Sequence, residues 1–119
     1  MKDKLAAAIL YLAFTGVISS ATVLAEEGMA LHYSDILHGK PTASGEIFDQ
    51  RAMTAAYRGL PFGSKVKVTN LENGKSVIVS VNDRMASHHR STIDVTRRAA
   101  QELGFEERGM ARVSVEPVR

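Results

Sequence analysis

The sequence predicts a single, mainly β domain: a small barrel of short strands with one short helix. Three observations support this prediction. The chain has 119 residues, too few for more than one ordinary domain. Apolar and polar residues alternate in several short runs, most clearly on both sides of the Asn73-Gly74 dipeptide. Only residues 96–104 combine helical spacing with signals for both helix ends.

Residues 1–25 are predicted to be a secretory signal peptide, which leaves residues 26–119 as the folded domain. The basic start MKDK precedes 21 uncharged residues, and Val23 and Ala25 stand at the −3 and −1 positions of a cleavage site. An uncleaved membrane anchor is the alternative, because 21 uncharged residues can just span a bilayer. We expect cleavage after Ala25 and a domain that is periplasmic or secreted.

The composition of residues 26–119 excludes several functional classes. This stretch contains 13 basic and 12 acidic residues and has no basic run with interleaved aromatics, so no nucleic-acid partner is expected. With four scattered histidines and no cysteine, the sequence predicts no metal site, no thiol nucleophile and no lipid anchor on cysteine. We expect a monomer without a cofactor, and without membrane contact once the signal peptide is removed.

The first half of this domain carries weak structural signals. Residues 26–50 are polar and contain several glycines, which indicates loop with short pieces of strand. Two alternatives remain for the stretch that follows. Asp49 could cap a helix that carries Ala52, Met53 and Ala56, or residues 54–57 could be extended.

The second half carries the clearest elements. KVKVTN and KSVIVSV alternate on either side of Asn73-Gly74, which tolerates the positive φ angles of a tight turn, so they predict a β-hairpin. Thr96 and Gly104 are predicted to cap the two ends of a short helix. MARVSVEPV alternates again and predicts a last strand that lies at an edge or ends near Pro117.

Asp83 is the first candidate for chemistry. It follows Val77, Val79 and Val81 in VIVSVNDR, and strict alternation places its side chain on the valine face. A carboxyl at the rim of an apolar barrel is partly desolvated, which favours the protonated form that a general acid needs. The alternative is that Asp83 ends the strand in a turn, where it pairs with Arg84 or caps a backbone amide.

Other acidic residues offer a second carboxyl. Glycosidic bond cleavage commonly uses two carboxyls a few ångströms apart, and Glu46 and Asp49 in SGEIFDQ could provide one beside Asp83. Alternatively, Glu46 is a solvated loop residue and Asp49 a helix cap. Asp94 lies between two apolar residues in TIDVT and is expected to be buried, with a structural role.

Histidines and tyrosines are the remaining candidates. His88 and His89 could reach a groove near Asp83, although adjacent histidines on a loop are usually only solvated. Tyr33 and Tyr57 could stack on a sugar ring or could simply pack half-buried in the domain.

Taken together, these motifs resemble the RlpA family, the rare lipoprotein A group of double-psi β-barrel proteins. The resemblance runs from about residue 30 to residue 115. Its most specific pieces are HGKPTASGEIFD, TAAYRGLPFGSKVKVTN, and VNDR spaced before IDVT. The resemblance implies a six-stranded double-psi β-barrel with one or two short helices and a groove across its face.

The resemblance also implies a function on peptidoglycan in the bacterial envelope. Characterised relatives are endolytic lytic transglycosylases that prefer glycan strands without peptides. They cleave the β-1,4 bond between N-acetylmuramic acid and N-acetylglucosamine, and the muramyl 6-hydroxyl closes onto the anomeric carbon to give a 1,6-anhydro end. The family's key aspartate falls on Asp83, and the glutamate and aspartate of its GE-x-x-D loop fall on Glu46 and Asp49. The implied catalytic residues are Asp83 and Glu46, and the implied substrate-binding residues are Asp49, Tyr57, Tyr33 and Arg84.

Two positions depart from the family's pattern. Relatives usually have histidine at the end of TAAH, where this chain has Tyr57, a residue that does not titrate near neutral pH. Relatives usually continue NDR with GPF, where this chain has Met85-Ala86-Ser87. These differences motivate the alternative function, a non-catalytic barrel that binds peptidoglycan or another polysaccharide, as an expansin-like module would.

Overall fold

A closed barrel forms the body of the protein in the computed structural model, which describes residues 24–86 and 89–119. Within these residues there are six strands, one 3₁₀ turn at Asp35–Leu37 and one α-helix, α1, at Arg97–Leu103. The strands are β1 (Glu26–His32), β2 (Thr54–Ala56), β3 (Lys65–Asn70), β4 (Ser76–Asp83), β5 (Ile93–Val95) and β6 (Met110–Pro117). The predicted signal peptide falls almost entirely outside the described residues, as does His88.

The strand order around the barrel is β1-β5-β2-β4-β3-β6, with β6 pairing again with β1. β1 and β5 are parallel, as are β2 and β4, whereas the other neighbours are antiparallel. The two short strands β2 and β5 therefore lie side by side between β1 and β4. This arrangement brings the ends of β1, β2, β4 and β5 to one region of the surface.

Alternation of side chains fills the barrel interior, as the sequence predicts. A fully buried aliphatic side chain contributes roughly 1.5–3 kcal/mol relative to an exposed one, so these residues dominate the stability of a barrel without disulfides. Strands β3, β4 and β6 each bury every second residue: Val66, Val68, Val77, Val79, Val81, Ala111, Val113 and Val115.

The predicted hairpin and helix are both confirmed. β3 and β4 are antiparallel neighbours, and Gly74 in the turn between them has a φ of 79°. The Thr96 side chain accepts a hydrogen bond from the Ala99 amide at the start of α1. Gly104 ends the helix in the left-handed conformation, with a φ of 82°. The last strand also ends at Pro117, as expected.

In the first half of the domain, the structure corrects the prediction for residues 26–32 and decides between the two alternatives for residues 49–57. Residues 26–32 form a full strand rather than loop, because β1 pairs with β5 on one side and with β6 on the other. Asp49 does not cap a helix. Its Oδ1 atom accepts a hydrogen bond from the Arg51 amide at 2.8 Å, which closes a turn before the extended residues of β2.

Candidate active site

A β-bulge at Asn82 decides where the Asp83 side chain points. In the parallel pair of β2 and β4, Ala55 lies opposite Val81, but the next residue, Ala56, lies opposite Asp83. Asn82 is therefore an extra residue in β4, and the alternation of faces shifts by one position after it. Ala55 and Val81 belong to the barrel core. Asp83 shares its face with Ala56 instead.

That face is covered by a second, smaller apolar cluster. Ala56 packs with Tyr33 and Phe48, and Met85 lies against the three of them. The prediction that Asp83 continues the valine face is therefore wrong. Strict alternation does not hold to the end of β4, because the bulge turns the carboxylate away from the barrel core and towards this outer cluster.

Asp83 is held by three hydrogen-bond donors. Its Oδ1 atom accepts from the backbone amides of Ala43 and Arg84, each at 2.9 Å. Its Oδ2 atom accepts from the Tyr33 hydroxyl at 2.7 Å. A carboxylate oxygen has two lone pairs, so Oδ1 is fully used and Oδ2 keeps one free lone pair. Oδ2 is consequently the oxygen that can exchange a proton with a ligand.

Tyr33 acts on Asp83 through its hydroxyl and offers little ring surface to a sugar. Its ring stacks on Phe48, with the two centroids 4.1 Å apart, and only 9% of the residue is exposed. Burial, and then the hydrogen bond to Asp83, raise the pKa of Tyr33. The hydroxyl therefore keeps its proton across the physiological range and remains a donor to Oδ2.

Asp83 and Tyr33 open onto a surface groove of about 400 Å³. This volume lies within the range of small-ligand sites, roughly 300–1,000 Å³. The groove is formed by the end of β1 and the residues after it, by Ala56 of β2, by the end of β4 and the residues after it, and by Asp94 of β5. Its lining residues are Leu31, His32, Tyr33, Ser34, Leu37, Ala56, Asp83, Arg84, Met85, Ala86, His89 and Asp94.

Arg84 lines the groove without neutralising Asp83. Its guanidinium donates to the backbone oxygen of Tyr57 at 2.8 Å and lies 4.1 Å above the centre of the Phe62 ring, a cation–π contact. Among the ion pairs of residues 24–86 and 89–119, none involves the Asp83 carboxylate. The structure therefore does not adopt the alternative in which Asp83 pairs with the Arg84 side chain, but it does show the other half of that alternative, since Asp83 caps the backbone amides of Ala43 and Arg84.

Glu46 lines a different depression from Asp83. It is exposed and borders a hollow of about 320 Å³ together with Ser44, Phe62 and Asn82. The turn before it is fastened to the end of β4, because the Ser44 amide donates to the Asn82 oxygen at 3.2 Å. This turn also delivers the amide of Ala43 to Asp83. The turn before the GE-x-x-D loop thus contributes a backbone donor to the groove, while the glutamate of that loop faces the neighbouring hollow.

Asp49 and Tyr57 are bound to other partners. The carboxylate of Asp49 accepts from the backbone amide and the side chain of Arg51, which hold its pKa below its ordinary value. Tyr57 is 8% exposed and packs in the barrel core, and its hydroxyl donates to Glu26 Oε1 at 2.6 Å. Burial and then this hydrogen bond raise the pKa of Tyr57 to about 12. Neither side chain is among those that line the Asp83 groove.

Sequence reasoning assigned no catalytic role to three contributors to the groove. The Ala43 amide is a backbone group, and no side-chain pattern marks it. Asp94 lines the groove because Ala56 pairs with it on one side and with Asp83 on the other. His89, in the loop after β4, lines the same groove. Only knowledge of the strand order could have placed Asp94 beside Asp83.

The described residues show no cluster of three or more histidine, cysteine, aspartate or glutamate side chains arranged to hold a metal ion. In the same part of the chain, no helix has the length and apolar character needed to cross a bilayer.

The barrel closely matches solved structures that have little sequence similarity to it. The Streptomyces papain inhibitor superposes with a TM-score of 0.65 at 24% identity, over 81% of this chain and 96% of that one. A Clavibacter michiganensis expansin, solved as a mutant in complex with cellohexaose, gives a TM-score of 0.62 at 23% identity, over 81% of this chain and 51% of that one. These likenesses concern the fold, and the chain has the predicted double-psi β-barrel.

Sequence relatives are much closer. The probable endolytic peptidoglycan transglycosylase RlpA of Treponema pallidum is 48% identical over 99 residues, which are 83% of this chain and 31% of that protein. The endolytic peptidoglycan transglycosylase RlpA of Pseudomonas aeruginosa is 50% identical over 91 residues, 76% of this chain and 27% of the relative. The chain therefore spans about a third of the length of the curated relatives that it matches.

The model of the family described as lytic transglycolase matches residues 25–115, which include β1 to β5 completely and β6 as far as Val115. The match covers the turn whose Ala43 amide donates to Asp83, the bulged end of β4 and the IDVT segment of β5. The chain belongs to this lytic transglycolase family, with relatives of the RlpA type.

Proposed function

We propose that this domain is an endolytic lytic transglycosylase of peptidoglycan. It cleaves the β-1,4 bond between N-acetylmuramic acid and N-acetylglucosamine in glycan strands without peptides, and it leaves 1,6-anhydro ends. The family and the names of the relatives support this reaction. The observation that carries the proposal is the Asp83 carboxylate, which lies in an open groove, is free of any ion pair with the described residues, and has one lone pair of Oδ2 unused.

The first step is protonation of the leaving oxygen by Asp83. With Oδ1 occupied by two amides, the proton of the neutral acid resides on Oδ2, on the side that Tyr33 leaves free. Transfer of this proton to the glycosidic oxygen lets the bond from the anomeric carbon break. The carboxylate that results is stabilised by the three donors already in place, which require no reorganisation.

Ring closure completes the reaction. The muramyl 6-hydroxyl attacks the anomeric carbon, forms the new C–O bond and loses its proton to a base in the groove. Asp83, ionised by the first step, can accept this proton and return to its starting form. No water is consumed, no external reactant is needed, and no cofactor enters the balance.

The remaining candidate residues receive supporting roles in the proposal. Arg84 is held above Phe62 at the edge of the groove, where its unused N–H groups can bind sugar oxygens. Glu46 binds a sugar in the neighbouring hollow instead of taking part in proton transfer, because it does not line the Asp83 groove. Asp49 and Tyr57 support the fold through Arg51 and Glu26. We place the domain outside the cytoplasm and expect it to act as a monomer.

The experiment is a comparison of the full chain with its Asp83→Asn variant on peptide-free glycan strands. Mass spectrometry should detect 1,6-anhydromuramyl ends with the wild-type protein. Because loss of a general acid removes about 10²–10⁴-fold in rate, the variant should form almost no product while it still folds and binds glycan. Equal product formation by the two proteins would reject Asp83 as the acid.

A non-catalytic glycan-binding barrel is the second candidate. Tyr57 favours this candidate. It stands where relatives usually have histidine, but its hydroxyl donates to Glu26 and its side chain gives the groove no titratable group. This function predicts glycan binding by both proteins and anhydro products from neither.

A further inference from the structure

A chain of hydrogen bonds at the far side of the groove links His89, Ser91 and Asp94. The Ser91 hydroxyl donates to Asp94 Oδ1 at 2.6 Å, and His89 Nδ1 lies 3.0 Å from the same hydroxyl oxygen. His89 Nε2 is 4.0 Å from the other oxygen of Asp94. Ser91 is only 3% exposed, whereas 41% of the His89 side chain is open to solvent. The buried serine fixes the geometry and leaves the imidazole accessible.

This series of hydrogen bonds determines which nitrogen of the neutral His89 ring carries the proton. A serine hydroxyl has one proton, and an ionised carboxylate can only accept, so the short contact to Asp94 takes that proton. The Ser91 oxygen must then accept from His89, which places the imidazole proton on Nδ1. The lone pair of the neutral ring is consequently on Nε2, beside the second oxygen of Asp94. Such an arrangement creates a base on Nε2 and stabilises the imidazolium that forms when the base takes a proton.

The base and the acid face one groove. Ala56 of β2 pairs with Asp83 of β4 on one side and with Asp94 of β5 on the other. The two carboxylates therefore lie on the same face of the sheet, and the side chain between them is the Ala56 methyl group. Two strand spacings separate their Cα atoms by about 10 Å. His89 lines the groove on the Asp94 side. A sugar ring that contacts Asp83 can therefore present another of its oxygens to His89.

We propose that His89 is the general base of this groove and takes the proton of the muramyl 6-hydroxyl through Nε2, with Ser91 and Asp94 as its positioning residues. The inference rests on the proposed transglycosylase function. Asp83 gives its proton to the leaving oxygen as the glycosidic bond breaks. The 6-oxygen bonds to the anomeric carbon and its proton passes to His89, which takes this role in place of Asp83. The imidazolium then releases that proton and Asp83 regains one from the solvent, so charge and atoms balance over a cycle.

Several charged or titratable groups surround His89 and bear on any pH dependence. They come from every element around the groove: His32 and Tyr33 at the end of β1, Arg58 after β2 (its Nη2 donates to the His89 oxygen at 3.3 Å), Asp83 and Arg84 at the end of β4, Arg90 in the same loop, and Asp94 on β5. A pH profile therefore needs a variant that changes His89 alone.

The test uses the full chain and its His89→Asn variant, with peptide-free glycan strands as substrate. An asparagine amide can keep the hydrogen bond to Ser91 but cannot accept a proton near neutral pH. We expect kcat to fall about 10²–10⁴-fold, as for loss of a general base. The part of the pH dependence of kcat that an imidazole base contributes should disappear, and glycan binding should be retained. Arg90→Gln, in the same loop, is the matched control and should keep the wild-type kcat at the pH of maximal activity.

A second measurement tests the geometry without turnover. The ¹⁵N chemical shifts of the His89 ring should show the Nδ1–H tautomer in the wild type, and Ser91→Ala should reduce the share of that tautomer. Predominance of the Nε2–H tautomer would overturn the inference. If the wild type makes anhydro ends and Asp83→Asn abolishes them while His89→Asn does not slow them, the inference alone fails. If the wild type makes none, the proposed function fails and the base falls with it.

Discussion

Replacement of Tyr57 by phenylalanine tests whether this residue contributes to the stability of the fold or to turnover in the groove. The change removes only the hydroxyl, which donates to Glu26 Oε1 at 2.6 Å, and keeps the ring in the core. Interaction with its surroundings raises the pKa of Tyr57 from its ordinary value of 10.0 to about 12. Each pKa unit is worth about 1.4 kcal/mol, so two units set an upper limit of roughly 3 kcal/mol.

The expected loss of stability is smaller than this limit. The carboxylate of Glu26 is exposed at the start of β1, and solvent weakens an interaction that is open to it. Part of the shift also comes from burial of the ring, which raises the pKa without stabilising the folded state. We therefore expect Tyr57→Phe to lower the free energy of unfolding by about 1 kcal/mol, as for a typical hydrogen bond.

The pH dependence has a defined sign. Because the folded-state pKa is raised, the unfolded chain loses the tyrosine proton first as the pH increases. The contribution of the hydroxyl is therefore complete below pH 10 and is lost between pH 10 and about 12. Urea unfolding of the wild type and of Tyr57→Phe at several pH values measures this contribution as the difference between the two proteins.

Turnover provides the other half of the test. Tyr57 does not line the groove, so Tyr57→Phe should form anhydro ends at the wild-type rate under conditions where both proteins are folded. A large loss of kcat in a folded variant, or a stability difference that grows above pH 10, would refute the assignment of Tyr57 to the fold.

Two further substitutions test the other assignments. Tyr33→Phe keeps the stack on Phe48 but removes the donor to Asp83 Oδ2, a hydrogen bond to a charged group worth about 1.5–3 kcal/mol. Steady-state kinetics on glycan strands should show kcat reduced about 10- to 100-fold with KM little changed, and an unchanged kcat would contradict the positioning role of Tyr33. Asp49→Asn should leave turnover unchanged. Since the pKa of Asp49 is lowered, its contribution to stability is present above the ordinary value of 3.8 and is lost as the pH falls below it, which unfolding curves at pH 3 and pH 6 compare.

The barrel was predictable from local patterns because its strands bury one face throughout. Val66, Val68 and the three alternating valines of β4 indicate strands whatever their partners are. Strand order was not predictable in this way. β5 lies between β1 and β2, although 60 residues separate the last residue of β1 from the first residue of β5 in the chain. The resemblance to a known family, and not the pattern of residues, gave the double-psi fold.

The site was predictable only in part. The motif around Asp83 singled out a residue that the structure places in a groove, and Tyr33 and Arg84 lie beside it. Glu46 borders another hollow and Tyr57 reaches Glu26, because short-range sequence patterns do not specify which face of a loop a side chain occupies. Asp94 comes beside Asp83 only through the pairing of β5 with β2, a contact between distant segments, and His89 is joined to Asp94 locally through Ser91.

The direction of Asp83 is the point at which sequence reasoning was most misleading, and the reason is physical. A strand that alternated without interruption would carry this carboxylate into the barrel core, where burial of a charge without a partner costs several kcal/mol. The extra residue Asn82 removes that cost by turning Asp83 to the outer face. It also brings the side chain within reach of Tyr33 and the Ala43 amide. Two consecutive polar residues after a strictly alternating run are the trace that such a bulge leaves in a sequence, since regular alternation would bury one of them. The same irregularity that keeps the charge of Asp83 out of the barrel core therefore also builds the groove, and a change that restored regular pairing at Asn82 would disturb both.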